Sequence, residues 1–268
     1  RIVVGGSIVD VGNSAQEMAG ATGGVLNGER DIAVGNVVGS NIFNVLFILG
    51  LSALVAPLIV HVQLIRQEVP IMIGSALLLV ALGLDGTLSW WEGALLLLLM
   101  VVYTVFLIVQ SRRESSASTT EFDAELQPAA AQAWDGKWPA QVALIVAGLA
   151  LLVLGSDWLV AASVVFAKAL GVSDLVIGLT IVAAGTSMPE VATSLMAAFK
   201  GERDIAVGNV VGSCTFNILG CLGLSSQASG ALGLPLASTV LIFDLWVMLT
   251  ALPACMTVFL RARTHASW

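Results

Sequence analysis

Two glutamates interrupt apolar stretches of this chain, and each is accompanied by polar oxygens at fixed spacing. Glu17 follows Ser14 by three residues, and Glu190 follows Ser187 by three, which on a helix sets hydroxyl and carboxylate on one face. Ser40 and Asn44 are four apart, as are Ser213 and Asn217, and each pair shares a face in the same way. If these faces meet, two carboxylates, two carboxamides and several hydroxyls converge, and all of them are oxygen ligands. That set suits a hard cation such as Na⁺ or Ca²⁺, the latter taking about 6–8 oxygens and matching the charge of two carboxylates. No His or Cys stands in these motifs, which argues against zinc or copper.

The two sets are copies of one another. Gly28–Ser40 reads GERDIAVGNVVGS, and so does Gly201–Ser213. Extended without a gap, Gly12–Ser52 and Gly185–Ser225 agree at 24 of 41 positions at a constant offset of 173. Such agreement does not arise by chance, and in membrane transporters duplicated halves with matching helix interruptions point to the binding site. In GTSMPE, Gly185–Glu190, Pro189 lacks an N–H, so backbone oxygens near Ala184–Thr186 are predicted to be freed. Broken backbone is tolerated in a bilayer only where it is buried in protein or lines a cavity.

The elements that must position these groups are membrane helices. Apolar residues make up 57% of the chain and charged residues 11%, with mean hydropathy +0.96, far from a soluble domain. The sequence predicts an all-α membrane protein of about eight spans: 2–26, 32–59, 68–84, 90–111, 139–168, 174–199, 204–226 and 237–260. The third is the shortest. Residues 112–137 are polar and acidic and read as a flexible loop. They divide a first half, 1–111, with its repeat at about 8–52, from a second half, 138–268, with its repeat at about 181–225. Much of the net charge of −7 lies in that loop, and no basic patch or nucleic-acid motif is present.

Lys and Arg set the orientation. With eight spans, Arg1, Arg66, Arg112, Arg113, Lys137, Lys200, Arg203, Arg261 and Arg263 fall on one side, against Arg30 and Lys168 on the other. The termini and the long loop are therefore predicted to be cytoplasmic. The repeats begin in spans one and six, an odd number apart, so their topologies are inverted, as in alternating-access transporters.

These motifs resemble the alpha repeats of the calcium/cation antiporter superfamily, the sodium/calcium exchangers, and most closely its prokaryotic members. The residues that carry the resemblance are GTSMPE at Gly185–Glu190, GNVVGS at Gly208–Ser213 with Asn217, GNVVGSNIFN at Gly35–Asn44, and the stretch Leu154–Glu190. The resemblance covers most of the chain. It implies that Glu17 and Glu190 are shared ligands for Ca²⁺ and Na⁺. It also adds Thr186 and Asn13 to Ser14, Ser187, Ser40, Ser213, Asn44 and Asn217 as candidate metal-binding residues. It implies a multi-pass antiporter of the bacterial inner membrane, partnered by lipid and its ions, with neither an enzymatic activity nor a resident cofactor. Gln16 stands where the family has Pro, and Asn13 where it has Thr, so the break in span one is predicted to be weaker. The family has ten spans. On that count the chain, which begins at Arg1 with no signal peptide, reads as truncated at both ends.

Other residues receive plainer readings. Gly35, Gly39, Gly208 and Gly212 form GxxxG pairs suited to close helix packing. Cys214, Cys221 and Cys255 lie in apolar stretches and read as core residues. Asp157 and Asp244 are assigned to packing or helix ends, and Asp10 to no role. GERD reads as a turn with Asp31 or Asp204 at a helix N-terminus. Trp90, Trp91, Trp138 and Trp158 are candidate interface anchors. Two alternatives to Na⁺/Ca²⁺ exchange stay open: Ca²⁺/H⁺ exchange on the same scaffold, and a transport-inactive paralogue serving as a cation-binding or assembly subunit. Oligomeric state is not legible.

Overall fold

Long apolar runs form helices here because a bilayer leaves the backbone no partner but itself. A computed structural model describes residues 17–18, 20–28, 30–56, 61–122 and 138–266. Residues 17–18 and 20–26 are helical and are followed by α1 (Arg30–Phe43), a π-helical turn Asn44–Ile48, and α2 (Leu49–Val55). After a second π turn, Leu64–Glu68, come α3 (Val69–Leu82), β1 (Thr87–Leu88) and α4 (Trp90–Phe122). The second half holds α5 (Trp138–Ala169), α6 (Asp174–Ile177), a π turn Gly178–Val182, α7 (Ala183–Thr186), α8 (Met188–Phe199) and α9 (Arg203–Phe216). A π turn Asn217–Cys221, α10 (Leu222–Ala228), β2 (Leu234–Pro235), a π turn Val240–Asp244 and α11 (Leu245–Ala266) complete it.

The duplication survives in detail. α1 and α9 each have 14 residues, each runs into a five-residue π turn that starts at the repeat's Asn, and each continues as a seven-residue helix. The first residue of GERD closes a helix in both copies: Gly28 (φ 85°) and Gly201 (φ 79°) take the left-handed conformation that a C-terminal stop requires. Asp31 and Asp204 then fall in the first turns of α1 and α9, and Asp204 Oδ1 accepts the His61 backbone N–H at 2.7 Å.

Among the described residues, five helices are long and apolar enough to cross a membrane: Ala33–Val55, Leu64–Asp85, Trp90–Gln110, Arg203–Ala228 and Val240–Phe259. A sixth is the bent pair Leu175–Thr186 and Met188–Phe199. The stretch read as span five lies within the 32-residue α5, and most of the stretch 2–26 lies outside the described residues. Two boundaries differ from the sequence reading. The third span is longer, because Leu64–Gln67, Arg66 among them, lie within a π turn of the helix instead of in the break before it. α4 runs on to Phe122, into the acidic segment, where no Gly or Pro stops it. The fold is nearly all-helical, but β1 and β2 pair antiparallel, Thr87 with Pro235 and Leu88 with Leu234; two-residue strands carry no periodic signal.

The core centres on α9. In the apolar window of Arg203–Ala228, 83% is buried, against 28% for Trp90–Gln110, so α9 is enclosed and α4 presents a wide outer face. Ile48, Ile65, Met72, Leu96, Ile218, Leu222 and Met248 are buried in one apolar cluster with Val207, Val210 and Val211 of α9. Cys214, Cys221 and Cys255 are buried, as expected of core residues. Trp90, Trp91 and Trp158 are exposed.

At the start of α4, Glu92 Oε2 accepts both the Ser89 backbone N–H (2.8 Å) and its hydroxyl (2.6 Å), so the carboxylate reaches back to cap the helix start as in one half of a capping box. Glu92→Ala is expected to cost about 1 kcal/mol, read as a lowered unfolding midpoint with ion binding intact, since Glu92 lies outside both repeats.

Candidate functional site

The site is built where α1 and its π turn cross the broken helix of the second repeat. That helix bends by 44° between Leu175–Thr186 and Met188–Phe199. The break falls at Ser187 (φ −88°, ψ 6°), with Pro189 in the first turn of α8, where a missing N–H costs nothing. The carbonyls before the break are used. Ala183 O accepts the Ser187 N–H at 3.2 Å and the Ser40 hydroxyl at 3.4 Å. Thr186 Oγ1 lies 2.9 Å from both Val182 O and Asn36 Oδ1.

Both glutamates are enclosed, Glu17 at 1% and Glu190 at 0% exposure. Each receives a hydroxyl. Ser187 donates to Glu17 Oε1 at 3.1 Å, and Ser213 donates to Glu190 Oε1 at 3.4 Å. The first of these bonds joins the repeats, because Ser187 stands one turn before Glu190. Ser40 and Asn217 also lie against the Glu17 carboxyl. Of the ten residues singled out from sequence, Glu17, Glu190, Ser40, Ser187, Ser213, Thr186, Asn44 and Asn217 are all buried; Ser40, Asn44, Thr186, Ser187 and Glu190 stand on the crossing elements, Ser213 and Asn217 on α9 and its π turn, and Glu17 in the helix before α1. Asn13 and Ser14 lie outside the described residues, as does Asp10. Asp244 ends a π turn at the head of α11, outside both repeats in sequence.

Several donors remain open. Glu17 Oε2 and both amide atoms of Asn44 are buried with no hydrogen-bond partner among the described residues. An unpaired buried polar atom costs about 1–3 kcal/mol, and a charged one more. A cation supplies what the carboxylate and amide oxygens lack, so the residues present fit a hard ion. Among the described residues no cluster of three or more His, Cys, Asp and Glu occurs, so the donor set is carboxylate plus neutral oxygen.

Sequence reasoning passed over part of the polar network. Asn36 accepts from Thr186, and Asn209 Nδ2 donates to Thr193 Oγ1 (2.9 Å), Ser194 Oγ (2.8 Å) and Glu190 O (3.3 Å). Both asparagines belong to the duplicated GNVVGS and were legible there. Asn41 and Cys221 were not, since the copies differ at both positions.

A membrane-embedded helical protein holding paired acids among neutral oxygens defines the class, and comparison with known proteins gives the family. Residues 1–109 and 140–268 match the model of the sodium/calcium exchanger protein family. CaxA of Alkalimonas amylolytica is 39% identical over 263 residues, 97% of this chain and 79% of that protein. The sodium/calcium exchanger MaX1 of Methanosarcina acetivorans is 31% identical over 84% of this chain and 73% of its own. A solved structure of the sodium-calcium exchanger NCX_Mj, soaked with 2.5 mM Na⁺ and 0.1 mM Sr²⁺, superposes with TM-score 0.71 at 27% identity, covering 96% of this chain and 78% of that one. The chain belongs to the sodium/calcium exchanger family, and is by class a cation antiporter of the membrane.

Proposed function

We propose that this antiporter exchanges Ca²⁺ for Na⁺ by alternating access, with Glu17 and Glu190 as ligands shared by the two ions. The observation that carries the reading is the pair of buried carboxylates joined across the repeats by Ser187. Two carboxylates balance one Ca²⁺ or the Na⁺ ions that replace it, and Ser187, Ser213 and Asn44 add neutral oxygens. An empty site holding two bare carboxylates is too costly to occlude, so ions must exchange in place of one another, and that exclusion couples the fluxes. Asn13 and Ser14, the counterparts of Thr186 and Ser187 in the duplicated sequence, are assigned to the same ligand set by that correspondence alone.

The repeats have inverted topology in this reading, with the termini and the acidic segment cytoplasmic and the chain integral to the inner membrane. The relative YrbG of Escherichia coli, 38% identical over 83% of this chain, is named an inner membrane protein.

The test is displacement. In purified protein, bound ⁴⁵Ca²⁺ is expected to be released by Na⁺ and retained in equimolar choline, and Glu190→Gln is expected to hold no ⁴⁵Ca²⁺. Release by acid but not by Na⁺ would move the reading to Ca²⁺/H⁺ exchange. Retention of Ca²⁺ by the Glu190 variant would remove the carboxylate pair from the account.

A further inference from the structure

Two consecutive helices of this bundle stand apart. α3 packs on α9 and α11, α4 packs on α10, and contact between α3 and α4 themselves is slight. They are nonetheless tied at both ends. The short connection Gly83–Ser89 joins them at one end, and at the other Gln110 Nε2 donates to Gln67 Oε1. Between the ties lies a groove of about 370 Å³. Its floor holds Ser75, Tyr103 and Leu219, all buried, and its rim holds Gly74, Val102 and Phe106, all exposed. A Cβ on Gly74 would meet nothing within 4 Å.

The groove is apolar and opens on hydrocarbon. Ser75 spends its hydroxyl on the Ile71 carbonyl of its own helix, at 2.9 Å. The spans on either side have only 33% and 28% of their apolar windows buried, so the face between them meets the bilayer. Water finds too few polar partners in such a groove, and an empty one forfeits the dispersion contacts of its lining. A second membrane helix needs small residues spaced a turn apart to come close. Here Gly74 and Ser75 are adjacent, and Leu78, Leu99, Val102 and Phe106 hold a helix off. A thin hydrocarbon chain meets no such obstacle. The lining runs over residues 71–78 and 99–106, about 10 Å along each helix.

We propose that this groove seats one lipid acyl chain, which fills the gap between α3 and α4 and backs the Asn217–Cys221 π turn from the lipid side through Leu219. The chain is then part of the wall behind Asn217, two residues before Leu219 in that turn. The inference does not rest on which ions are exchanged.

The test is photolabelling of the full chain in vesicles of phosphatidylethanolamine and phosphatidylglycerol, with a trace of phosphatidylethanolamine carrying a mid-chain diazirine. Label is expected on the floor residues Ser75, Tyr103 and Leu219, which lipid passing over the outer surface does not reach. Trp246, exposed on α11, reports that passing lipid. Gly74→Phe, which puts a ring at the rim, is expected to remove the floor label and leave Trp246 labelled, whereas Gly74→Ala keeps both. In detergent, added phosphatidylethanolamine is expected to raise the unfolding midpoint of wild type and Gly74→Ala, as a ligand of the folded state does, and to raise that of Gly74→Phe less. Label confined to exposed residues, or an equal lipid-dependent shift in all three proteins, overturns the proposal. A dimer that Gly74→Phe breaks apart would give the groove to a second copy of the chain and overturn it as well.

Discussion

Glu190→Gln is expected to abolish Ca²⁺ transport while leaving the protein folded. Glu190 is fully buried, and its Oε1 accepts the Ser213 hydroxyl. Gln keeps the shape and an oxygen for that bond, so packing is conserved and only charge is lost. Breaking a buried charge pair by removing one partner costs about 3–5 kcal/mol. At roughly 1.4 kcal/mol per decade this is an affinity loss of about 100-fold or more. Glu17→Gln is expected to act alike, because its carboxylate faces the same break through Ser187. The check is ⁴⁵Ca²⁺ binding with unfolding midpoints measured in parallel. A variant that binds normally would show that the second carboxylate is structural.

The second large effect is steric. A Cβ on Gly39 would lie 2.8 Å from Ala183 Cβ and closer still to the Leu179 backbone oxygen. Real side chains do not approach a backbone atom so closely, so α1 must move away from the Gly178–Thr186 segment. Overpacking costs about 1–3 kcal/mol even where side chains yield, and here the obstacle is backbone. The next residue, Ser40, carries the bond to Ala183 O, so separation of the helices opens the site as well. Gly39→Val is expected to lower the unfolding midpoint and the yield of folded protein sharply, and Gly39→Ala to do so less. Gly50→Ala is the control. Nothing lies within 4 Å of that position, and replacing a helical Gly by Ala is expected to stabilise by about 0.5–1 kcal/mol. A Gly39→Val protein as stable as wild type would mean that the two repeats are not in this contact.

Much of this was legible in the sequence because duplication prints a site twice. Glu17 and Glu190, Ser40 and Ser213, and Asn44 and Asn217 recur at one offset, and the structure buries all six. The break at Ser187 followed from Pro189, whose ring cannot sit in an unbroken helix. GxxxG at Gly35–Gly39 foretold close packing, and Gly39 supplies it. Boundaries were less legible. Arg66 looks like a loop residue, yet a π turn carries it in the helix; charge marks exposure, not the end of hydrogen bonding. The π turns at Asn44 and Asn217 leave no pattern in composition. The contacts of Asn41 with Met248 and of Cys221 with Asn217 were least legible of all. Asn41 and Cys221 sit where the copies diverge, and only the crossing of distant segments brings Asn41 to Met248, 207 residues away.

The most direct test of the account is Ca²⁺ uptake into proteoliposomes driven in turn by an outward Na⁺ gradient and by a matched outward H⁺ gradient. Uptake is expected with the Na⁺ gradient alone, abolished by Glu190→Gln. Uptake with H⁺ alone, or no uptake by folded protein under either gradient, would contradict it.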